Sequence, residues 1–141
     1  MPGQAALRLH QVVLDSAGIR GLAEFYRALL GLVYGPGDEP PKEGEPDERG
    51  RDWLVLRAPD GTPQLAFQHV GRLTPPTWPD GPVPQQLYLD LSVSSIEDLE
   101  AQHERVLHLG GRLLSDHKHG PDEPFRVYAD PSGHPFCIFL A

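Results

Sequence analysis

Two residue types near the C-terminus could do chemistry. The closing stretch DPSGHPFCIFLA holds the chain's single cysteine, Cys137, and a histidine, His134. A thiol becomes a nucleophile when a base or a positive charge stabilises its thiolate. On an extended strand, a residue three positions away projects from the opposite face and lies about 10 Å along the chain. No Cys–His couple follows, and Cys137 reads as a small buried hydrophobe. His117 and His119 form a second grouping in DHKHGPDEP, with Asp116, Asp122 and Glu123 nearby. An H-x-H without further spaced ligands reads as a solvated turn able to take up stray zinc. His103 and His108 are five apart and share no helix face well. His10 and His69 neighbour Gln11 and Gln68, so they face away from them. Asp90 and Arg126 can pair with each other or meet a charged ligand, with the ion pair favoured because buried charges need partners. No glycine-rich phosphate loop and no nucleophile elbow is present.

The elements that must position these residues occur twice. LRLHQVVLDSAG predicts a strand leading into a turn. IRGLAEFYRALLGL follows at helical spacing, with Ile19, Leu22, Phe25, Tyr26, Leu29 and Leu30 on one side and Gly31 at its end. DWLVLRAPDG and PQLAFQHV predict two strands joined by a Pro-Asp-Gly turn. The second half repeats this order: QQLYLDLSV, then the helix SSIEDLEAQHERVLHLGG, then GRLLSD, FRVYADPSG and HPFCIFLA. In that helix Ile96, Leu99, His103, Val106 and Leu107 share a face, Ser94 is the expected cap with Glu97 completing a capping box, and Gly110 and Gly111 end it. LRAPDGTPQLAF parallels YADPSGHPFCIF. The expected fold is one α+β domain over residues 1–141, built of two strand-helix-three-strand modules. Module 1 spans about 7–70, a proline-rich linker 71–84, and module 2 about 85–141. The acidic Pro/Gly-rich stretch at 35–51 reads as a mobile surface loop, or more sharply as a lid.

The 141 residues suffice for one core, and a formal net charge of −8 disfavours a nucleic-acid partner. A single cysteine fits a reducing compartment, the start lacks a signal-peptide pattern, and no apolar run is long enough to span a membrane; a cytoplasmic location without a membrane partner is expected.

The motifs VVLDSAGIRGLAEFYRALLGL and RVYADPSGHPFCIF, with the tandem repeat, resemble the vicinal oxygen chelate superfamily. That superfamily includes glyoxalases, extradiol dioxygenases, epimerases and bleomycin- or fosfomycin-resistance proteins. The likeness covers nearly the whole chain and is nearest to small glyoxalase-like members with no assigned reaction. It implies two modules whose sheets curve around a shared cavity, and a homodimer. Metal-dependent members place ligands on the first and last strands of each module, and the matching positions here are Gln11, Ala66, Tyr88 and Cys137. That set suits a hard divalent ion poorly, so no metal and no other cofactor is expected.

Strand alternation completes the expectation. Leu87, Leu89, Leu91 and Val93 read as helix-facing, as do Phe125, Val127 and Ala129, and Phe136, Ile138 and Leu140. The opposite faces meet either solvent or a cavity. With the resemblance, the reading is a cavity lined by Gln11, Gln68, Tyr88, Asp90, Arg126, Tyr128, Cys137 and Phe139. The expected function is binding of a small organic molecule at a metal-free site, for sequestration or an unassigned reaction. The alternatives are a metal-dependent lyase, isomerase or dioxygenase of the glyoxalase type, and a non-catalytic interaction module.

Overall fold

Both predicted helices end where glycine permits it. In the computed structural model, which describes residues 6–141, α1 (Ile19–Leu30) stops at Gly31 and α2 (Ile96–Leu109) at Gly110, each glycine in the left-handed region. The start of α2 differs by one residue from the expected cap. Ser95, not Ser94, accepts the Asp98 backbone N–H at 3.1 Å, and Glu97 and Asp98 then sit in the first turn beside the positive end of the helix dipole. Its predicted apolar face is narrower than expected: Leu99 and Val106 are buried, while Leu107 is exposed.

The strands are β1 (Val12–Ser16), β2 (Val33–Tyr34), β3 (Trp53–Arg57) and β4 (Pro63–His69) in the first module, and β5 (Leu89–Val93), β6 (Arg112–Asp116), β7 (Phe125–Ala129) and β8 (Pro135–Leu140) in the second. Together they make an α+β fold of two βαβββ modules. The sheets have the same order, β1-β4-β3-β2 and β5-β8-β7-β6. In each, first and last strands pair in parallel and the others antiparallel. The first strands are shorter than predicted: residues 6–11 and 85–88 lie outside any strand. The parallel partners β4 and β8 both open with proline, which has no N–H to extend the ladder.

Each helix covers one face of its sheet, and the two covered faces merge into one core. Leu54, Leu56, Leu65 and Phe67 of sheet one, and Tyr128, Phe136 and Ile138 of sheet two, meet across α1. Phe25 packs edge-on against Tyr26 and Phe136, and Tyr128 stacks on Phe136 with ring centroids 5.4 Å apart. Polar bonds join the modules at the same place. Tyr26 Oη donates to Asp130 Oδ2 at 2.7 Å, Ser16 and Ser132 hydroxyls are 2.7 Å apart, and Arg105 donates to the carbonyls of Ala28 and Leu29 at the end of α1.

The repeat shows in the turns. Ala58–Thr62 and Asp130–His134 have the same backbone bonds and a left-handed glycine, Gly61 or Gly133. After them the modules differ by one residue. Leu56 pairs with Leu65 and Arg57 with Pro63, so Gln64 is an extra residue, a β-bulge, whereas Tyr128 and Ala129 pair with Phe136 and Pro135 without one. Gly133 also admits the linker: a Cβ there would stand 2.5 Å from the Pro75 side chain.

The acidic loop is pinned rather than free. Arg20 on α1 holds Asp47 with two bonds of 2.8 and 2.9 Å and also donates to the backbone carbonyls of Asp38 and Glu39. Asp38 is buried and accepts the Val55 N–H.

The Tyr26–Asp130 bond gives a signed pH prediction. Burial holds the Asp130 carboxyl above its usual range, against the opposing pull of the Tyr26 hydroxyl. Such a group binds its proton more readily folded than unfolded, so its contribution to stability is fullest at low pH and falls as pH rises through the folded value. Tyr26→Phe removes a donor to the carboxylate and should cost about 1–3 kcal/mol in urea denaturation near neutrality. The deficit relative to wild type should shrink as pH falls below neutrality and Asp130 takes up its proton; an equal or larger deficit in acid would contradict the assignment.

Candidate functional site

β1 and β5 are edge strands of their sheets, and their free edges face one another across a seam. β1 and β5 are not paired with one another, and linker residues contribute to the lining between them. A cavity of about 540 Å³ results, within the size range of small-molecule sites. One wall is β1 from Val12 to Asp15, with Gln68 of β4 beside it. The other is the approach to β5, Leu87 to Leu89. Tyr26 forms part of the floor, and His134 and Pro135 close one end. The linker supplies Leu73, Thr74, Pro76, Val83 and Pro84. It is held in shape by Thr77, whose N–H and hydroxyl both donate to the Val83 carbonyl and whose oxygen accepts the Val83 N–H.

The polar groups of this seam are largely committed. His134 Nε2 lies 2.7 Å from the backbone carbonyl of Asp15. A carbonyl only accepts, so Nε2 carries the proton. Asp130 Oδ1 accepts the backbone N–H groups of Ser132 and His134, which orients the turn. Burial, and then the Asp130 carboxylate, push the Tyr26 phenol well above its ordinary value.

The eight residues expected to share a cavity are divided among four places. Gln68 and Tyr88 line the seam, with Tyr88 half-exposed at 53%. Asp90, Cys137 and Phe139 belong to the face of sheet two turned away from the helices, where Asp90 pairs in register with Cys137. Gln11 lies just before β1 with its side-chain carbonyl oxygen buried and, among the described residues, unpartnered. Arg126 and Tyr128 point the other way, under α2. Arg126 is 5% exposed and pairs with Glu100 of α2 at 2.7 Å and with Asp116 of β6 at 3.1 Å. The Tyr128 hydroxyl lies 2.9 Å from His103 Nδ1. The expected face of β7 is therefore inverted. Tyr128 is registered against Phe136, and antiparallel partners share a face, so both must point into the core. The expected Asp90–Arg126 pair is likewise replaced by Arg126 with Glu100 and Asp116.

Asp15, His134, Tyr26 and the linker were not anticipated as lining. The parallel between the two turn sequences contained a signal for His134, since it places that residue at the junction of turn and final strand in module 2.

The four positions implied for a metal fail as a ligand set. Ala66 has no donor atom. Cys137 is buried beside the Asp90 carboxylate, and burial, then that charge, push its thiol up to about 12. Of the four, only Gln11 presents a buried acceptor in need of a partner. Among the described residues no group of three or more His, Cys, Asp or Glu side chains gathers to hold an ion. His117 instead stacks on Phe125 at 4.4 Å and bonds Ser115. A thiol raised this far stays almost wholly protonated near neutral pH. Iodoacetamide should therefore leave Cys137 unmodified in native protein, and Asp90→Asn should raise its rate; labelling of native wild type as fast as free cysteine would contradict the geometry.

Among the described residues, no helix is long and apolar enough to cross a membrane. Comparison with curated proteins finds no match. Solved structures share the fold at low identity. A possible glyoxalase from Bacillus cereus aligns with TM-score 0.63 and 16% identity, covering 96% of this chain and 100% of that one. A glyoxalase/bleomycin resistance protein/dioxygenase family enzyme from Burkholderia phytofirmans PsJN aligns at 0.67 and 13%, covering 95% and 98%. The fosfomycin resistance protein FosX from Listeria monocytogenes aligns at 0.67 and 11%, covering 97% and 95%. A family model described as a glyoxalase-like domain matches residues 11–139. With the tandem modules and their matched turns, this shows that the chain belongs to the glyoxalase-like domain family of the vicinal oxygen chelate superfamily.

Proposed function

We propose that this protein binds a small organic molecule in the seam between β1 and β5 without a metal ion, either sequestering it or acting on it. The supporting observation is the cavity itself: about 540 Å³, walled by aliphatic and aromatic side chains, with a few polar groups at defined points. Apolar area supplies affinity in such a site and sparse polar groups fix orientation. The donor set of Gln11, Ala66, Tyr88 and Cys137 supports the metal-free form of the reading over a metal-dependent lyase, isomerase or dioxygenase. Several structural neighbours carry names of antibiotic resistance, which is compatible with sequestration. The third reading, an interaction module, leaves the cavity unexplained.

The working unit in this proposal is a homodimer in the cytoplasm. Leu7 and Leu9 are exposed ahead of β1 and line no part of the seam. Exposed apolar side chains of this kind suit contact with a second chain.

A thermal-shift screen of drug-sized organic molecules tests the reading. A ligand at a hundredfold excess over its dissociation constant stabilises by about 2.7 kcal/mol, or about 10 °C for a domain of this size. Val13→Trp, at a half-exposed lining position, should abolish the shift. Hits unaffected by that change would overturn the seam. One equivalent of tightly bound zinc, iron or manganese, lost in Gln11→Ala/Cys137→Ala, would favour the metal-dependent alternative.

A further inference from the structure

The seam contains one anionic side chain and no cationic one to match it. Among the described residues Asp15 lines the cavity, and no Lys or Arg does. Among the described residues the Asp15 carboxylate has neither an ion-pair nor a hydrogen-bond partner; the bond at this residue is made by its backbone carbonyl. The groups that could donate to an anion are already used. His134 donates its Nε2 proton to that same carbonyl, and Tyr26 donates its hydroxyl to Asp130. The remaining polar groups are hydroxyls and amides such as Tyr88 and Gln68, which both donate and accept and so express no preference.

We propose that the ligand of this cavity is an organic cation: an apolar body carrying a protonated amine that pairs with Asp15. This rests on the seam being the ligand site. An ammonium there gains a charge-assisted bond to a carboxylate that otherwise lacks a partner. The accessible ring of Tyr88 on the cavity wall favours the same sign of charge. A carboxylate ligand would meet Asp15 with no cation to offset it. The chain's net charge of −8 draws cations towards it at long range.

Three ligands of one shape separate charge from fit: 2-naphthylmethylamine, 2-naphthylmethanol and 2-naphthoate, titrated calorimetrically into wild type, Asp15→Asn and Val13→Trp. The amine should bind wild type at least about tenfold more tightly than the alcohol, and the naphthoate most weakly. Asp15→Asn should remove that tenfold advantage, bringing the amine to within about twofold of the alcohol. The Asp15 side chain holds no internal bond, so this variant should fold, and its melting temperature checks that. Val13→Trp should weaken both amine and alcohol. Equal binding of amine and alcohol by wild type, or an amine preference that survives Asp15→Asn, overturns the charge inference and leaves the pocket standing. Naphthoate as the tightest of the three overturns it also. Failure of all three to bind, or binding untouched by Val13→Trp, overturns the seam as the site and this inference with it.

Discussion

A phenol from one module donates to a carboxylate from the other, and both are buried. Tyr26 and Asp130 are 104 positions apart in sequence and 2.7 Å apart in space. The bond fixes α1 against the turn before β8, so the two sheets cannot slide along each other. Around it the aromatic rings of Phe25, Phe67, Tyr128 and Phe136 join two small hydrophobic faces into one core. Neither module alone could bury those rings, and a domain this small depends on a single shared core.

The seam follows from that constraint. Helices meet on one side of the molecule, and the edge strands β1 and β5 are held near one another with the linker between them. Pro75 packs on Gly133, which ties the linker to the same turn that carries Asp130 and His134. The turn thus anchors the core through Asp130, ends the cavity through His134 and receives the linker at Gly133. On the opposite face of sheet two, a thiol held protonated by burial and a neighbouring carboxylate brings no reactivity.

Much of the fold was legible because the repeat constrains it. Helical spacing in FYRALLGL, the paired turns and the closing glycines each follow from local chemistry, and the family resemblance agreed with them. The site was less legible because it depends on register. Alternation tells which residues of a strand share a face, but not which face meets the helix. For FRVYA the apolar residues Phe125, Val127 and Ala129 suggested the core face, yet Arg126 and Tyr128 occupy it. There Arg126 forms ion pairs with Glu100 and Asp116, leaving its Nη1 without a hydrogen-bond partner among the described residues, and the Tyr128 hydroxyl meets His103. The repeat held the corrective signal. LRAPDG aligned on YADPSG sets Leu56 over Tyr128, and Leu56 is a core residue. The lining from the linker had no signal in periodicity, since an irregular proline-rich segment has none. Asp15 and Tyr26 read as a strand-end acid and a core aromatic, and only the approach of two edges makes them neighbours of a cavity.

The central claim is that ligand enters the seam between the modules rather than the outward faces of the sheets. Amide chemical-shift mapping by two-dimensional NMR, with saturating 2-naphthylmethylamine, addresses it most directly. The account predicts the largest perturbations at Val13, Asp15, Leu73, Val83, Leu89 and His134, the residues around the seam. Perturbations centred instead on Ala66, Val127 and Cys137 would contradict it.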